Sequence, residues 1–289
     1  MRPTTKNQPF WLLFPTFAVL GVFFAYPLVE AFRTSFYEWD LLTPARFVGL
    51  ENYRGIVRSG ELLASLGTTL LISSVVVTGS LVLGLALALA VHRPGRLASL
   101  ARSAVFSAYV VSWVSVGLLF LWIFDTDAGI VNRALGALGL PAVKWLTSVS
   151  MAPFTVALIV IWKVTGYAMV VFLAGLSALP PEVKEAAAID GAGPFSRFRH
   201  ITLPLLRPTL AFVGTTSLIA SFQLFDVVRL LTQGGPVRST TVLVYAIYEQ
   251  LFRDLRVGRA SALVVVFFVA LSLLTLLKLR ALRGEESAT

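Results

Sequence analysis

The sequence predicts an all-α, polytopic membrane protein, and three observations carry that expectation. Hydrophobic residues make up 57% of the 289 and charged residues 13%, with a mean hydropathy of +0.82. A soluble domain normally carries about 25% charged residues, so the surplus apolar surface calls for a solvent other than water. The apolar residues gather in about six runs of roughly 20 residues or more, the length of a membrane-spanning helix. Finally, the net charge of +9 comes from Lys and Arg residues that mostly flank those runs. They form no basic stripe and no aromatic platform, so lipid headgroups, not nucleic acid, are the expected partner.

The first run is Gln8–Phe32. Arg2 and Lys6 ahead of it could open a signal peptide. The run is longer than the about 7–15 residues of a signal core, however, and no small-x-small site closes it, so an uncleaved span is expected. The second run, Leu62–Val91, is free of charge and long enough to tilt or to begin outside the hydrocarbon. The third, Ser103–Phe124, and the sixth, Gly258–Leu277, are also free of charge but for Arg259 at the start of the sixth. The fourth, Pro153–Ser177, carries Lys163, and the fifth, Pro208–Val228, ends near Asp226. A buried soluble helix rarely stays apolar for so long.

An even number of spans puts both termini on one side, together with the loops His92–Arg102 and Pro180–Arg207. Basic residues are denser per length of loop there, notably Arg93, Arg96 and Arg102, then Lys278, Arg280 and Arg283. That side is therefore expected to be cytoplasmic. The outward loops Arg33–Glu61, Asp125–Ala152 and Arg229–Val257 are long enough for short helices. Thr241–Phe252 reads as one, lying at the membrane surface with Tyr245 and Tyr248 at the interface. No tandem repeat and no soluble domain interrupt the series.

Several chemistries are excluded at this level. With no cysteine, disulfides, thiolate metal sites and Cys nucleophiles drop out. His92 and His200 fall in basic loops without carboxylate pairs nearby, so neither a catalytic constellation nor a protein-borne metal centre is expected. There is no G-x-x-x-x-G-K-[ST] phosphate loop, and hydrolysis of ATP by this chain itself is not expected.

The segment Pro180–Pro208 differs in kind from the other loops. Pro181 suits a first helical turn, where its missing N–H costs nothing. Glu182 stands where the helix dipole favours a negative charge. Ala186, Ala187 and Ala188 propagate the helix, and Gly191 and Gly193 stop it. Pro194 can start a second short helix, and Pro204 and Pro208 mark the way into the fifth span. The spacing predicts a helix–turn–helix knob. Its small alanine face admits a partner's backbone, and Glu185 and Asp190 offer fixed charges to a partner's Arg or Lys. A solvated loop would satisfy the same physics.

The spacing Glu185-Ala186-Ala187, three residues, Gly191, nine residues, Ile201-x-Leu203-Pro204 resembles the EAA loop of binding-protein-dependent ABC permeases. The resemblance implies the transmembrane fold of type I ABC importers, with six spans and a cytoplasmic coupling helix that inserts into a nucleotide-binding subunit. Glu182, Glu185, Ala186, Ala187, Asp190, Gly191, Ile201, Leu203 and Pro204 become the ATPase-coupling residues. Phe47-Val48-Gly49-Leu50-Glu51-Asn52-Tyr53 is similar to an element of the carbohydrate permeases. So are Gly129–Trp145 and the stretch Leu231-Thr232-Gln233-Gly234-Gly235-Pro236 with Ser239-Thr240-Thr241.

Polar groups inside spans usually face a cavity or a partner. Lys163 and Tyr167 lie four apart on the fourth span, and Ser217 and Ser221 four apart on the fifth, so each pair shares a helix face. By alignment with the maltose permeases, the resemblance places the substrate path at Lys163, Val164, Tyr167, Ser217, Ala220 and Ser221. The residue types differ from the maltose proteins at most of these positions. Read by itself, Lys163 could instead pair with Asp226 or snorkel toward an interface, and the serines could bond their own helix backbone.

The resemblance also implies partners: a second, homologous permease in a heterodimer, two nucleotide-binding ATPase subunits that hold ATP and Mg, and an extracytoplasmic solute-binding protein. No cofactor is expected in this chain. The implied function is that of an inner-membrane permease subunit for a sugar or sugar-like solute, glycerol-3-phosphate and glycerophosphodiesters among them. A permease for amino acids or polyamines, or a secondary transporter, are the alternatives. The scarcity of intramembrane carboxylates speaks against the last.

Overall fold

The computed structural model describes residues 8–286, and among these the fold is α-helical apart from one short hairpin. In chain order α1 (Gln8–Leu20) passes through a π turn, Gly21–Ala25, into α2 (Tyr26–Thr34). The hairpin strands β1 (Tyr37–Glu38) and β2 (Arg46–Phe47) come next, then α3 (Glu51–Arg58) and the long α4 (Glu61–Val91). After these stand α5 (Arg96–Val110), α6 (Trp113–Ile123), α7 (Ile130–Ala137) and α8 (Ala152–Ser177). The region after α8 holds α9 (Pro181–Ile189), α10 (Pro194–Arg197), a π turn at Phe198–Thr202 and α11 (Leu203–Leu205). Last are α12 (Arg207–Phe222), α13 (Phe225–Leu231), α14 (Leu243–Tyr248), a π turn at Glu249–Arg253 and α15 (Val257–Glu286).

The chain divides into two compact units, one from the described residues of Met1–Ala64 and Ala246–Thr289, the other Ser65–Tyr245. In the first unit, α15 packs on α2 and α3. The hairpin pairs Tyr37 with Phe47 in antiparallel register. Asn52 secures the turn from hairpin to α3, donating through Nδ2 to the carbonyls of Ser35 (2.8 Å) and Tyr37 (2.9 Å). The Tyr53 hydroxyl bonds Ser35 Oγ at 2.7 Å. Asp40 Oδ1 accepts from the amides of Leu42 and Thr43 and from Thr43 Oγ1. Those bonds, the Thr43 amide first, hold its carboxyl below the usual carboxylate value. Half-buried Glu61 accepts from Gln250 Nε2 (2.8 Å) and pairs with Arg259 (3.3 Å), tying the start of α4 to the start of α15.

In the second unit α8 is the centre, flanked by α5, α12 and α13. Small residues set how closely these helices approach. A Cβ at Gly166 would lie 2.5 Å from the Val105 carbonyl oxygen on α5, and one at Gly84 would lie 2.7 Å from Ala168 Cβ. Dispersion and close backbone approach are what hold helices together in lipid, where burying apolar surface gains nothing. One end of the unit is filled by Leu85, Ala88, Met169, Phe172, Leu206 and Val213.

Two polar knots organise the connecting loops of this unit. Asn132, on α7, uses all four of its hydrogen-bonding positions. Nδ2 donates to Thr126 O and Val143 O, while Oδ1 accepts from Val143 N and Trp145 Nε1, each at 2.9–3.1 Å. After α13, Thr240 Oγ1 donates to Gly235 O (2.7 Å), Thr241 Oγ1 to Gly234 O (3.0 Å), and the hydroxyls of Thr232 and Thr240 meet at 2.7 Å. Loop backbone at such junctions needs side chains of this kind to satisfy it.

Four helices among the described residues are long and apolar enough to cross a membrane: Leu13–Thr34, Glu61–Val91, Ala152–Ser177 and Val257–Leu276. Two bent pairs bring the number to six if each counts as one span. The expected third span, Ser103–Phe124, is one of these. It bends by 100° between α5 and α6, where Val111 and Ser112 are both extended (ψ 140° and 141°). The expected fifth span, Pro208–Val228, stops as a helix at Phe222; Leu224 breaks it, and Asp226 falls in the first turn of α13. The expected surface helix Thr241–Phe252 is α14 continued by a π turn.

Gly166→Val drives a branched side chain into the α5 backbone, an overpacking cost of about 1–3 kcal/mol. It should lower the melting temperature in detergent by several degrees, whereas Val170→Ala on the exposed face of α8 should not.

Candidate functional site

The segment between α8 and α12 folds into the knob its spacing predicts. Pro181 opens α9 and Glu182 lies in its first turn. The helix closes with the Asp190 amide donating to Ala186 O and the Ala192 amide to Ala187 O, both at 3.0 Å. Between them Gly191 has φ +78°. That six-to-one bond around a left-handed glycine is a Schellman cap, which explains why glycine stands there. Glu182, Glu185, Ala186, Asp190 and Gly191 are exposed, and Ala187 is buried against the turn. Ile189 and Phe195 are 86% and 74% exposed, a large apolar presence on a short polar knob.

Beyond α10 the chain turns inward. Ile201, Leu203 and Pro204 are half-buried, and Phe198 and Leu203 pack against the hydrophobic cluster of α4, α8 and α12. Leu206, fully buried in that cluster, lies at a 66° bend into α12. Across the same region a Cβ at Gly175 would lie 2.6 Å from Thr209 Oγ1. The knob is thus continuous with α8 on one side and bolted into the α8–α12 core on the other.

The six expected path residues divide. Tyr167 and Ala220 are half-buried; Lys163, Val164, Ser217 and Ser221 are buried within the subunit. Ser217 Oγ accepts from Ser80 Oγ at 2.9 Å, so this hydroxyl joins α12 to α4. Ser221 Oγ donates to Leu218 O at 2.7 Å, the backbone bond that serine makes within its own helix. Tyr167 stacks on Tyr109 of α5, ring centroids 5.1 Å apart and planes 25° off parallel.

Lys163 is 2% exposed and neither snorkels nor pairs with Asp226, which is exposed on α13. Its Nζ donates to the carbonyls of Ala108 (3.3 Å), Tyr109 (3.0 Å) and Val111, the chain end left open where α5 stops. The rings of Trp113 and Tyr109 lie 4.8 and 5.9 Å from the ammonium. Tyr109 and Trp113 lie outside the set of residues expected here. The signal for them is Val110-Val111-Ser112 inside an apolar run: two β-branched residues, then one that favours a helix start.

A family model described as the inner membrane component of binding-protein-dependent transport systems matches residues 80–282. The sulfoquinovosyl glycerol transport system permease protein of Agrobacterium fabrum is 34% identical over 277 residues, 95% of this chain and 90% of that one. The sn-glycerol-3-phosphate transport system permease protein of Yersinia pestis is 34% identical over 279 residues, 94% and 92% of the two chains. Among solved structures, a bacterial ABC transporter involved in importing the acidic polysaccharide alginate superposes with a TM-score of 0.83, covering 96% of this chain and 97% of that one. Its identity is 23%, so this likeness speaks for the fold.

The left-handed Gly191 makes a prediction about the knob. Gly191→Val forces a branched residue to φ +78° and should open the cap, seen as faster trypsin cleavage after Arg197 in detergent-solubilised protein. Gly191→Asn, a residue that tolerates this region, should cleave at the original rate.

Proposed function

We propose a function for this chain from one premise: it belongs to the family of binding-protein-dependent transport system inner membrane components. It is a transport subunit with several membrane spans. Our reading is that it is the permease subunit of an ATP-binding-cassette importer in the inner membrane, carrying a sugar or sugar-like solute. The solutes named for its relatives, sulfoquinovosyl glycerol and sn-glycerol-3-phosphate, support that class.

The observation that carries the reading is the construction of the knob. Glu182, Glu185 and Asp190 present charge, Ala186 and Gly191 present small exposed surface, and Ile201, Leu203 and Pro204 lead straight into the core between α8 and α12. A partner that grips α9 therefore moves two membrane helices directly. In this reading the partner is a nucleotide-binding subunit, which holds the ATP and Mg that this chain has no phosphate loop to bind. Two such subunits close on ATP and rock this permease against a second, homologous one. An extracytoplasmic binding protein delivers the solute, and both termini lie on the cytoplasmic side.

The path we assign runs along α8 and α12 at mid-depth. Of the six path residues, Tyr167, stacked on the exposed Tyr109, and Ala220 are the two that are not buried. A stacked aromatic pair offers a flat apolar face with polar tips, a good match for a sugar ring. Val164, Ser217 and Ser221 shape the wall behind it.

Two outcomes check this reading. Glu185→Lys should insert normally but lose the co-purifying ATPase, since it reverses a charge at the docking surface; undiminished ATPase capture would remove the coupling role. Tyr167→Ala should raise the KM for uptake of the solute retained by the cognate binding protein about threefold to tenfold, the worth of one aromatic contact, with assembly intact.

A further inference from the structure

A buried ammonium at the middle of an apolar helix is costly and persists where it has a partner or a task. Lys163 has both of its needs met by a defect in another helix. An α-helix ends with carbonyls that have no intrahelical donor, and they carry the negative end of the helix dipole. In hydrocarbon no water fills that role. Because α5 stops at Val110, such an end lies within the membrane-spanning part of the subunit. Lys163 supplies the missing donors.

An ammonium has three N–H groups and no more. Here all three have acceptors, on Ala108, Tyr109 and Val111. Trp113 and Tyr109 cover two of its sides with aromatic faces, which adds cation–π attraction. Nothing remains to bind an anion without breaking the cap. The same carbonyl contact fixes the backbone of Tyr109, whose ring lies against Tyr167.

We propose that Lys163 is a positioning residue: it caps the carbonyl end of α5, thereby sets Tyr109 against Tyr167, and does not neutralise charge on the transported solute. The reading of that tyrosine pair as path wall rests on the importer function above; the cap itself does not. A cation kept for a ligand and a cation kept for a helix end have opposite stability signatures. Removing the first relieves a buried unpaired charge, whereas removing the second leaves carbonyls unsatisfied.

The experiment compares wild type, Lys163→Gln and Lys163→Met, each assembled with its partner permease and ATPase in lipid nanodiscs, with no solute added. Gln keeps two donors without charge. Melting temperatures should fall in the order wild type, Gln, Met, the last by about 5–10 °C. The near-ultraviolet circular dichroism of the stacked tyrosines, defined by the difference between wild type and Tyr167→Phe, should be lost in Met and partly kept in Gln. Should Met fail to assemble, a lower melting temperature and weakened tyrosine signal in Gln carry the proposal alone. A Met variant as stable as wild type, or more so, overturns it, as does a loss of stability with the tyrosine signal unchanged. Failure of the importer reading would show differently, as a wild-type permease that captures no ATPase.

Discussion

The second unit depends on one exchange of hydrogen bonds between α8 and a helix that breaks beside it. Left alone, each side of the exchange would be unstable in a membrane: a lysine with no acceptor and a helix end with no donor. Together they remove each other's cost. The bend of 100° between α5 and α6 is the geometric consequence, and it lets α6 leave the axis of α5 and pack against α13. Without the ammonium the two segments have reason to straighten into one span, so that each carbonyl finds its own amide again.

The exchange also gives α8 a second attachment along its length. Its middle grips α5 through Lys163 and through the close approach at Gly166; its last turns are held by the cluster around Phe172 and Leu206, and its end leads into the knob. In the proposed coupling, motion imposed on α9 would reach α5, α6 and α12 through these close contacts. Close-packed contacts of this kind transmit displacement because they have little room to absorb it.

Much of this is legible in the sequence, and the part that is not has a common cause. Long apolar runs announce α4, α8 and α15 to within a residue at their starts, because length in lipid is fixed by hydrocarbon thickness. The knob is legible because Pro181, Gly191 and Pro194 act locally. The break after Val110 leaves only the local trace Val110-Val111-Ser112, since its stabilising group lies more than fifty residues away on another helix. The cap that Lys163 makes is hidden for the same reason: composition shows a cation in a span but not that a neighbouring helix stops beside it. Asn52, Asn132 and Thr240 stand inside recognised family segments, yet their task, satisfying backbone at loop junctions, emerges from the hydrogen bonds alone.

At the centre of this mechanism Lys163 holds the angle between α5 and α6. The chain contains no cysteine, so spin labels can be placed cleanly at Leu97→Cys on α5 and Leu118→Cys on α6, positions 83% and 57% exposed. Pulsed electron–electron resonance on the assembled complex in nanodiscs then reads the distance across the bend. With Lys163 present one narrow distribution is expected; in Lys163→Met a broad one is expected, extending to longer distances as the segments straighten. Identical distributions in the two proteins would contradict the role assigned to Lys163.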